Sequence, residues 1–397
     1  MLILPNSTQS PTIRNMRATI AKIYTNNLRH NLIQIKNRLA PKTKMCVAVK
    51  ANAYGHGAVE CAKIALECGA DFLAIAAISE GIELREAGIQ APLLLLSLCQ
   101  PEEMDDLVEN DITPFVFDAD YADLVAAAVK KAGRKNYPVH LAIDTGMGRI
   151  GCYPEDAANL ARHIISTGCL ELGGMCTHFA VSDSPAEEDD AYTARQFARF
   201  TEAIENVKAA GINPGICHCC NSAATLEKPE YHLDMVRPGI IVYGYYPDGK
   251  PRTYYEEKKI PVDLKPVMAL MTKVLSIRPI KKGMSVSYGH TWTAKEDTMT
   301  GVLPIGYADG LFRRLAPHLQ VAVKGKAYPV RGRICMDQCM IDTGNDPVER
   351  WSDAVLFGPE ESGAVLTAQE LADATGTISY EITSAITKRV PRVFVNQ

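Results

Sequence analysis

The sequence predicts an α/β protein: an N-terminal (β/α)8 TIM-like barrel followed by a mostly β C-terminal domain. Three observations predict it. Between about residues 18 and 245, short apolar runs alternate with longer amphipathic stretches about eight times, the rhythm of a closed parallel sheet wrapped by helices. No glycine fingerprint follows the first strong strand, as it would in the rival open, doubly wound sheet. After about residue 262, strand-like runs separated by turns take over.

Barrel strands are expected at 45–49, 72–76, 92–97, 114–117, 139–143, 170–177, 215–219 and 239–243. Helical patterns lie between them, including 121–132 and 185–210. Over 26–39, Leu28, Leu32, Ile35 and Leu39 share one face at helical spacing. In the second half, strands are expected at 267–277, 299–305, 319–323, 330–335 and 354–357, with one good helix at 367–374. The resulting boundaries are an N-terminal extension over 1–17, the barrel over 18–262 and the β-rich domain over 263–397.

With 42 basic and 46 acidic side chains, a formal net charge of -4 argues against a nucleic-acid surface. Most of the twelve cysteines scatter singly through apolar segments, a pattern of reduced thiols in a cytoplasm rather than of a disulfide framework. The first residues lack the apolar core of a secretory signal. No window approaches the roughly 20 apolar residues of a membrane span. A cytoplasmic protein without a membrane partner is expected.

The chemistry starts at Lys50, at the end of the first strong strand and therefore at the barrel mouth, where such active sites gather. Burial favours the neutral amine, a nucleophile suited to Schiff-base chemistry with an aldehyde. A lysine merely snorkelling at a strand end is the bland reading of the same position. The cluster Cys217, His218, Cys219 and Cys220 invites a metal reading. In a strand, though, alternate side chains face opposite ways, and no second cysteine pair at finger spacing appears, so no metal is expected.

Seven ordered blocks then decide the reading: AVKANAYGHG at 48–57, DTGMGRIG at 144–151, HCCNSAAT at 218–225, VRPGIIVYG at 236–244, VSYGHTWTA at 286–294, LPIGYADG at 303–310 and GRICMDQ at 332–338. Together they resemble the alanine racemases, pyridoxal-phosphate enzymes with a barrel and a β domain, from about residue 18 to the end. The resemblance implies racemisation of L- and D-alanine, supplying D-alanine for cell-wall synthesis, in a homodimer with shared active sites. Pyridoxal 5'-phosphate would join Lys50 as a Schiff base, and Lys50 would serve as the base on the D side. Tyr288 from the partner subunit would be the opposing base on the L side.

By the same resemblance, Tyr54, Ser222, Gly239, Ile240 and Tyr380 would contact the cofactor phosphate. Tyr288 would bond His178, which bonds Arg237, which bonds His218. Arg237 would face the pyridine nitrogen, where a guanidinium has no proton-accepting site and so weakens the ring as an electron sink. Arg149 would pair with the substrate carboxylate, with the Met336 N–H as a second contact from the partner. Tyr307 would line the access corridor.

One departure stands out. Many family members carry a carbamate-modified lysine two residues before the aspartate of DTGM, and here that position is Ala142. Something else must hold Arg149, with a bound chloride or another acidic side chain as the options. Three other readings share parts of the pattern. A serine or broader small-amino-acid racemase keeps the reaction and enlarges the pocket. A basic amino-acid decarboxylase shares barrel and cofactor, but Arg149 and Tyr288 argue against it. A non-catalytic cofactor carrier would lack the second domain.

Overall fold

The computed structural model describes residues 17–396, so the extension expected over 1–17 lies almost wholly outside the described residues. The chain forms two compact units. One is Thr25–Pro266; the other is made of Val267 onward together with the chain up to Tyr24. Strand β1 (Ile20–Tyr24) opens the described chain and belongs to the second unit.

In the first unit, strands β2 (Lys44–Ala48), β3 (Phe72–Ile75), β4 (Leu93–Leu95), β5 (Ile112–Val116), β6 (Tyr137–Ala142), β7 (Leu170–Cys176), β8 (Ile216–His218) and β9 (Met235–Val236) form one sheet. Its order is β8-β7-β6-β5-β4-β3-β2-β9, and every pairing is parallel. Two backbone bonds close the ring between its ends: Asp234 N–H to the Cys217 carbonyl at 3.1 Å, and Arg237 N–H to the Cys220 carbonyl at 2.9 Å. The strands read as nearly continuous apolar runs because both faces are covered. All five residues of β5 and all three of β4 are buried, as parallel strands under helices require.

A helix follows each of β2 to β8. Helix Ala119–Lys131 illustrates why they form where they do. The Asp118 carboxylate accepts the Tyr121 N–H at 2.7 Å, capping the start. Lys130 and Lys131 in the last turn complement the helix dipole. Tyr121, Ala122, Val125, Ala126 and Val129 turn one apolar face to the sheet side.

The eighth strand differs from expectation. It is Met235–Val236, while Ile240–Tyr243, read as the strand at 239–243, is a buried 3-10 turn. Pro238 removes a ladder donor, and Gly244 turns at φ 88° against the Lys265 carbonyl, where a Cβ would sit 1.9 Å from its oxygen. A short apolar run does not distinguish these two fates.

The second unit is built mainly on antiparallel pairing. A six-stranded sheet runs in the order β16 (Lys326–Pro329), β15 (Gln320–Val323), β18 (Asp353–Phe357), β10 (Met268–Lys273), β1 and β19 (Arg392–Val395), with β1 antiparallel to β10 and parallel to β19. The chain over 20–24, read as the start of the barrel, therefore pairs with partners nearly 250 and 370 residues away, a relation invisible to local periodicity. β11 (Ser276–Ile280), β14 (Thr298–Leu303) and β17 (Cys339–Gly344) form a second sheet, and β12 (Ser285–Val286) with β13 (Trp292–Thr293) a short hairpin. The strand expected at 330–335 is instead a loop after a single bridge from Val330 to Ile341, with Gly332 at φ 72°. The expected helix is present as Ala368–Thr375. It starts at a reciprocal cap between Thr367 and Glu370. Among the described residues, no helix is long and apolar enough to cross a membrane.

Candidate active site

Lys50 directly follows β2 at the carboxyl end of the barrel. The next four residues, Ala51, Asn52, Ala53 and Tyr54, all have φ between 51° and 54°. They form a left-handed turn without glycine, which costs about 1–2 kcal/mol per residue. Its hydrogen bonds show what holds it. Ala53 N–H reaches the Val49 carbonyl at 2.7 Å and Gly55 N–H the Ala51 carbonyl at 2.9 Å. The Glu80 carboxylate takes the Ala51 N–H at 2.6 Å, and also the Ala76 N–H at 2.7 Å. Inside the turn the buried His56 ring bonds the Ala53 and Tyr54 carbonyls, each at 3.0 Å, and stacks on Tyr243.

A cavity of about 270 Å³ opens there, lined by Lys50, Arg149, His178 and Arg237, with Ala142 and Phe115 in its wall. Burial pulls the Lys50 ammonium below its ordinary pKa, the Arg149 charge adds to this, and Glu80 opposes it. Lys50 is thereby made a better nucleophile and base. Among the described residues, no carboxylate side chain lines the cavity. Three cations without an acid select an anionic ligand.

Arg237 organises the floor. Its Nη1 donates to His218 Nδ1 at 2.6 Å, and its Nη2 to His178 Nδ1 at 3.2 Å and to the Thr177 carbonyl at 2.8 Å. A guanidinium only donates, so both Nδ1 atoms must be acceptors and both imidazoles carry their proton on Nε2. His218 Nε2 in turn faces His140 Nδ1 at 2.8 Å, so His140 accepts there and its own proton is also on Nε2. Burial and the Arg237 charge push His140 and His178 down to about 3 and hold His218 well below the ordinary histidine range.

Beside the cavity lies a polar cradle. Gly239 N–H donates to Ser222 Oγ at 2.9 Å. A Cβ at Gly239 would lie 2.6 Å from Tyr54 Oη and 3.7 Å from Ser222 Oγ. Two hydroxyls and backbone thus converge on a space that only glycine leaves open. Burial raises the Tyr54 phenol, keeping it a donor. This donor set, with the Lys50 amine and the surrounding cations, fits a ligand carrying both a phosphate and an electrophilic carbonyl.

The barrel unit therefore contains Lys50, Tyr54, Arg149, His178, His218, Ser222, Arg237, Gly239 and Ile240. Tyr288, Tyr307, Met336 and Tyr380 belong to the second unit. There, Tyr288 is 70% exposed, Met336 52% and Tyr307 41%. Their segments are tied together: Tyr307 N–H bonds the Cys335 carbonyl and Ala308 N–H the Met336 carbonyl, both at 3.0 Å, and the Ser287 hydroxyl, next to Tyr288, donates to the Arg333 carbonyl at 2.6 Å. Tyr380 lies in the first turn of the short helix Ser379–Ser384.

At the departure from the family pattern, Ala142 is buried at the end of β6. Among the described residues Arg149 has no acidic partner. The nearby Asp144 turns its Oδ1 to the N–H groups of Gly146, Met147 and Gly148 at 2.9, 2.9 and 3.1 Å. Sequence reasoning missed two contributors, His140 and Glu80. His140 carried a signal, since it lies two residues before Ala142 and so on the same strand face. Glu80 carried none.

The chain matches the family models described as alanine racemase, N-terminal domain, over residues 23–247, and alanine racemase, C-terminal domain, over residues 267–394. It is 49% identical to an alanine racemase of Treponema denticola over 385 residues, covering 96% of this chain and 99% of that one. An alanine racemase of Desulfovibrio desulfuricans is 44% identical, covering 96% and 98%. Among solved structures, the alanine racemase of Bacillus anthracis with bound L-Ala-P superposes with a TM-score of 0.89 at 35% identity, covering 96% of both chains. That of Clostridium difficile gives 0.87 at 37%, covering 96% and 97%.

Two outcomes are expected from this geometry. Ala51 is exposed, so Ala51→Gly releases strain without loss of packing. Its urea midpoint should correspond to unchanged stability or a gain of up to about 1 kcal/mol. Ala127→Gly, in an ordinary helix, should lose about 1 kcal/mol; equal losses would refute the strain. Secondly, the unfolded chain protonates His140 near 6.5 and the folded chain near 3, so stability rises with pH in that window and is lost as pH falls through it. His140→Gln should flatten this slope between pH 6.5 and 4.5 by about 1.4 kcal/mol per pH unit, read from denaturation midpoints.

Proposed function

The chain belongs to the alanine racemase family, whose reaction interconverts L- and D-alanine, and we propose that it does so with pyridoxal 5'-phosphate on Lys50 and two opposed proton carriers. The observation that carries this reading is the acid-free cavity holding Lys50, Arg149 and Arg237 beside the Tyr54, Ser222 and Gly239 cradle. Pyridoxal phosphate, when bound, supplies an aldehyde for amines and delocalises charge from the α-carbon.

The protein's own residues divide the remaining work. Tyr54, Ser222 and the Gly239 and Ile240 backbone hold the phosphate, with Tyr380 as a further contact. Arg149 pairs with the substrate carboxylate, assisted by the Met336 N–H of the partner subunit. Arg237, a donor only, would face the ring nitrogen of the cofactor, where it would weaken the ring as an electron sink. Lys50, with its lowered pKa, moves the proton on the D face.

Tyr288 of the partner subunit moves the proton on the L face. A phenol with an ordinary pKa near 10 is a weak base at neutral pH. The tautomer chain supports its use: with Nδ1 committed to Arg237, His178 has an Nε2–H free to donate to a phenolate oxygen. Residues on opposite faces avoid any need to rotate the substrate. The exposed patch of Tyr288, Met336 and Tyr307 suits a homodimer in which one copy completes the other's site, with Tyr307 narrowing the access corridor. All twelve cysteines are free, in keeping with a cytoplasmic enzyme supplying D-alanine for the cell wall. With Ala142 in place of an acidic group, chloride beside Arg149 is the proposed counter-ion.

Tyr288→Phe should lower racemisation by about 10²–10⁴-fold while borohydride still fixes pyridoxal to Lys50. Wild-type turnover in that variant would sink the two-carrier scheme, and absence of label on Lys50 in the parent enzyme would sink the cofactor assignment. Chloride added to halide-free enzyme should lower KM for L-alanine more than it raises kcat. A KM indifferent to halide would remove the chloride.

A further inference from the structure

The turn that precedes Tyr288 holds a serine in backbone that side chains ordinarily avoid. Ser287 has φ 67° and ψ -175°, a region populated almost only by glycine and costing about 1–3 kcal/mol for other residues. Such a conformation persists only where its surroundings dictate it. Here the Ser287 hydroxyl donates to the Arg333 carbonyl at 2.6 Å and lies 3.5 Å from Cys335 Sγ. Gly332 packs so closely that a Cβ on it would stand 2.5 Å from the Val286 oxygen and 2.7 Å from Ser287 Cβ.

The loop that holds Ser287 is the loop that carries Met336. It is tied in turn to the Tyr307 segment by the Tyr307 and Ala308 N–H bonds. Buried Asp309 anchors that segment, accepting the Gly306 N–H at 3.0 Å and the Arg17 guanidinium. Tyr288 itself packs little, since most of its ring is exposed. Within its own subunit, its direction is therefore set by the backbone before it.

We infer that Ser287 is a positioning residue for Tyr288, its hydroxyl tie and strained backbone locking the phenol in register with the Met336 and Tyr307 loops. The inference rests on the reading of Tyr288 as the L-face proton carrier. A flexible glycine in this place would allow the same turn but leave the ring free to swing. A serine held by its hydroxyl gives the turn a single setting, at the cost of strain.

The test compares Ser287→Ala, Ser287→Gly and Tyr288→Phe as holoenzymes in D2O, following racemisation and α-deuterium uptake into each recovered alanine enantiomer. Loss of the hydroxyl tie should slow racemisation by about 10²-fold in both directions. Deuterium should still enter recovered D-alanine through Lys50, while uptake into recovered L-alanine falls with racemisation. General loosening of the fold would depress both uptakes together. Ser287→Gly, freed of strain, should also keep or raise the urea midpoint. Ser287→Ala racemising at the parent rate, or losing both uptakes in proportion, overturns the positioning role. If Ser287→Ala does not fold, Ser287→Gly is judged by the same two criteria. Should Tyr288→Phe itself racemise like the parent, the two-carrier reading fails. If Tyr288→Phe shows the one-sided uptake and the Ser287 variants do not, only the positioning role fails.

Discussion

Arg237 can donate hydrogen bonds but never accept one, and the floor of the barrel mouth is arranged around that restriction. Its two Nη atoms point at ring nitrogens of His218 and His178. Each ring must therefore be neutral and must present a lone pair. A protonated imidazole at either place would set two donors against each other next to a permanent charge in a buried space. The restriction passes from His218 to His140 along one further bond. Four side chains from β6, the ends of β7 and β8, and the segment after β9 thus share one arrangement of protons. It needs the closed sheet, because Arg237 reaches its partners across the seam where β8 and β9 meet.

The same floor explains the charge of the cavity. Lys50, Arg149 and Arg237 repel one another, and only Glu80, outside the lining, offsets Lys50. Such a cluster destabilises the fold in the absence of a ligand. The repulsion favours the neutral amine on Lys50, and the remaining positive charge favours anionic ligands. Stability is thereby exchanged for affinity and reactivity at one place. Ala142 at the end of β6 brings no charge to offset the imbalance, and Asp144 is occupied with its own loop.

Much of this was legible in the sequence, for reasons that differ by element. The buried parallel strands announced themselves as apolar runs at regular spacing, because the two covered faces demand it, and three of the motif blocks hold Lys50, Arg149 and Arg237, which line one cavity. What stayed hidden depends on distant partners or on backbone. No strand is expected at β1, and the chain over 20–24 counts within the barrel's span because nothing local reveals that it pairs in the second unit. The run IIVY looked like a strand because buried turns and strands share composition. Glu80 acts through three backbone N–H groups, and no spacing rule points to such a bond. The left-handed turn after Lys50 is spelled ANAY, with no glycine among its four positive-φ residues.

That turn and Ser287 belong together. The two residues proposed as proton carriers are each flanked by backbone that ordinary side chains avoid: Lys50 on its C-terminal side, Tyr288 on its N-terminal side. A side chain at the end of a strand normally inherits the strand's direction, which the pleat fixes to one of two faces. A proton carrier needs a third direction, toward a point in space set by the substrate. Flexible loops supply such directions at the expense of definition, and a misplacement of about 1 Å costs about 10²-fold in rate. Backbone forced into the left-handed region and pinned there, by Glu80 in one unit and by the Arg333 carbonyl in the other, supplies direction and definition together. The strain is the energy by which the rest of each unit over-determines where the reactive atom sits.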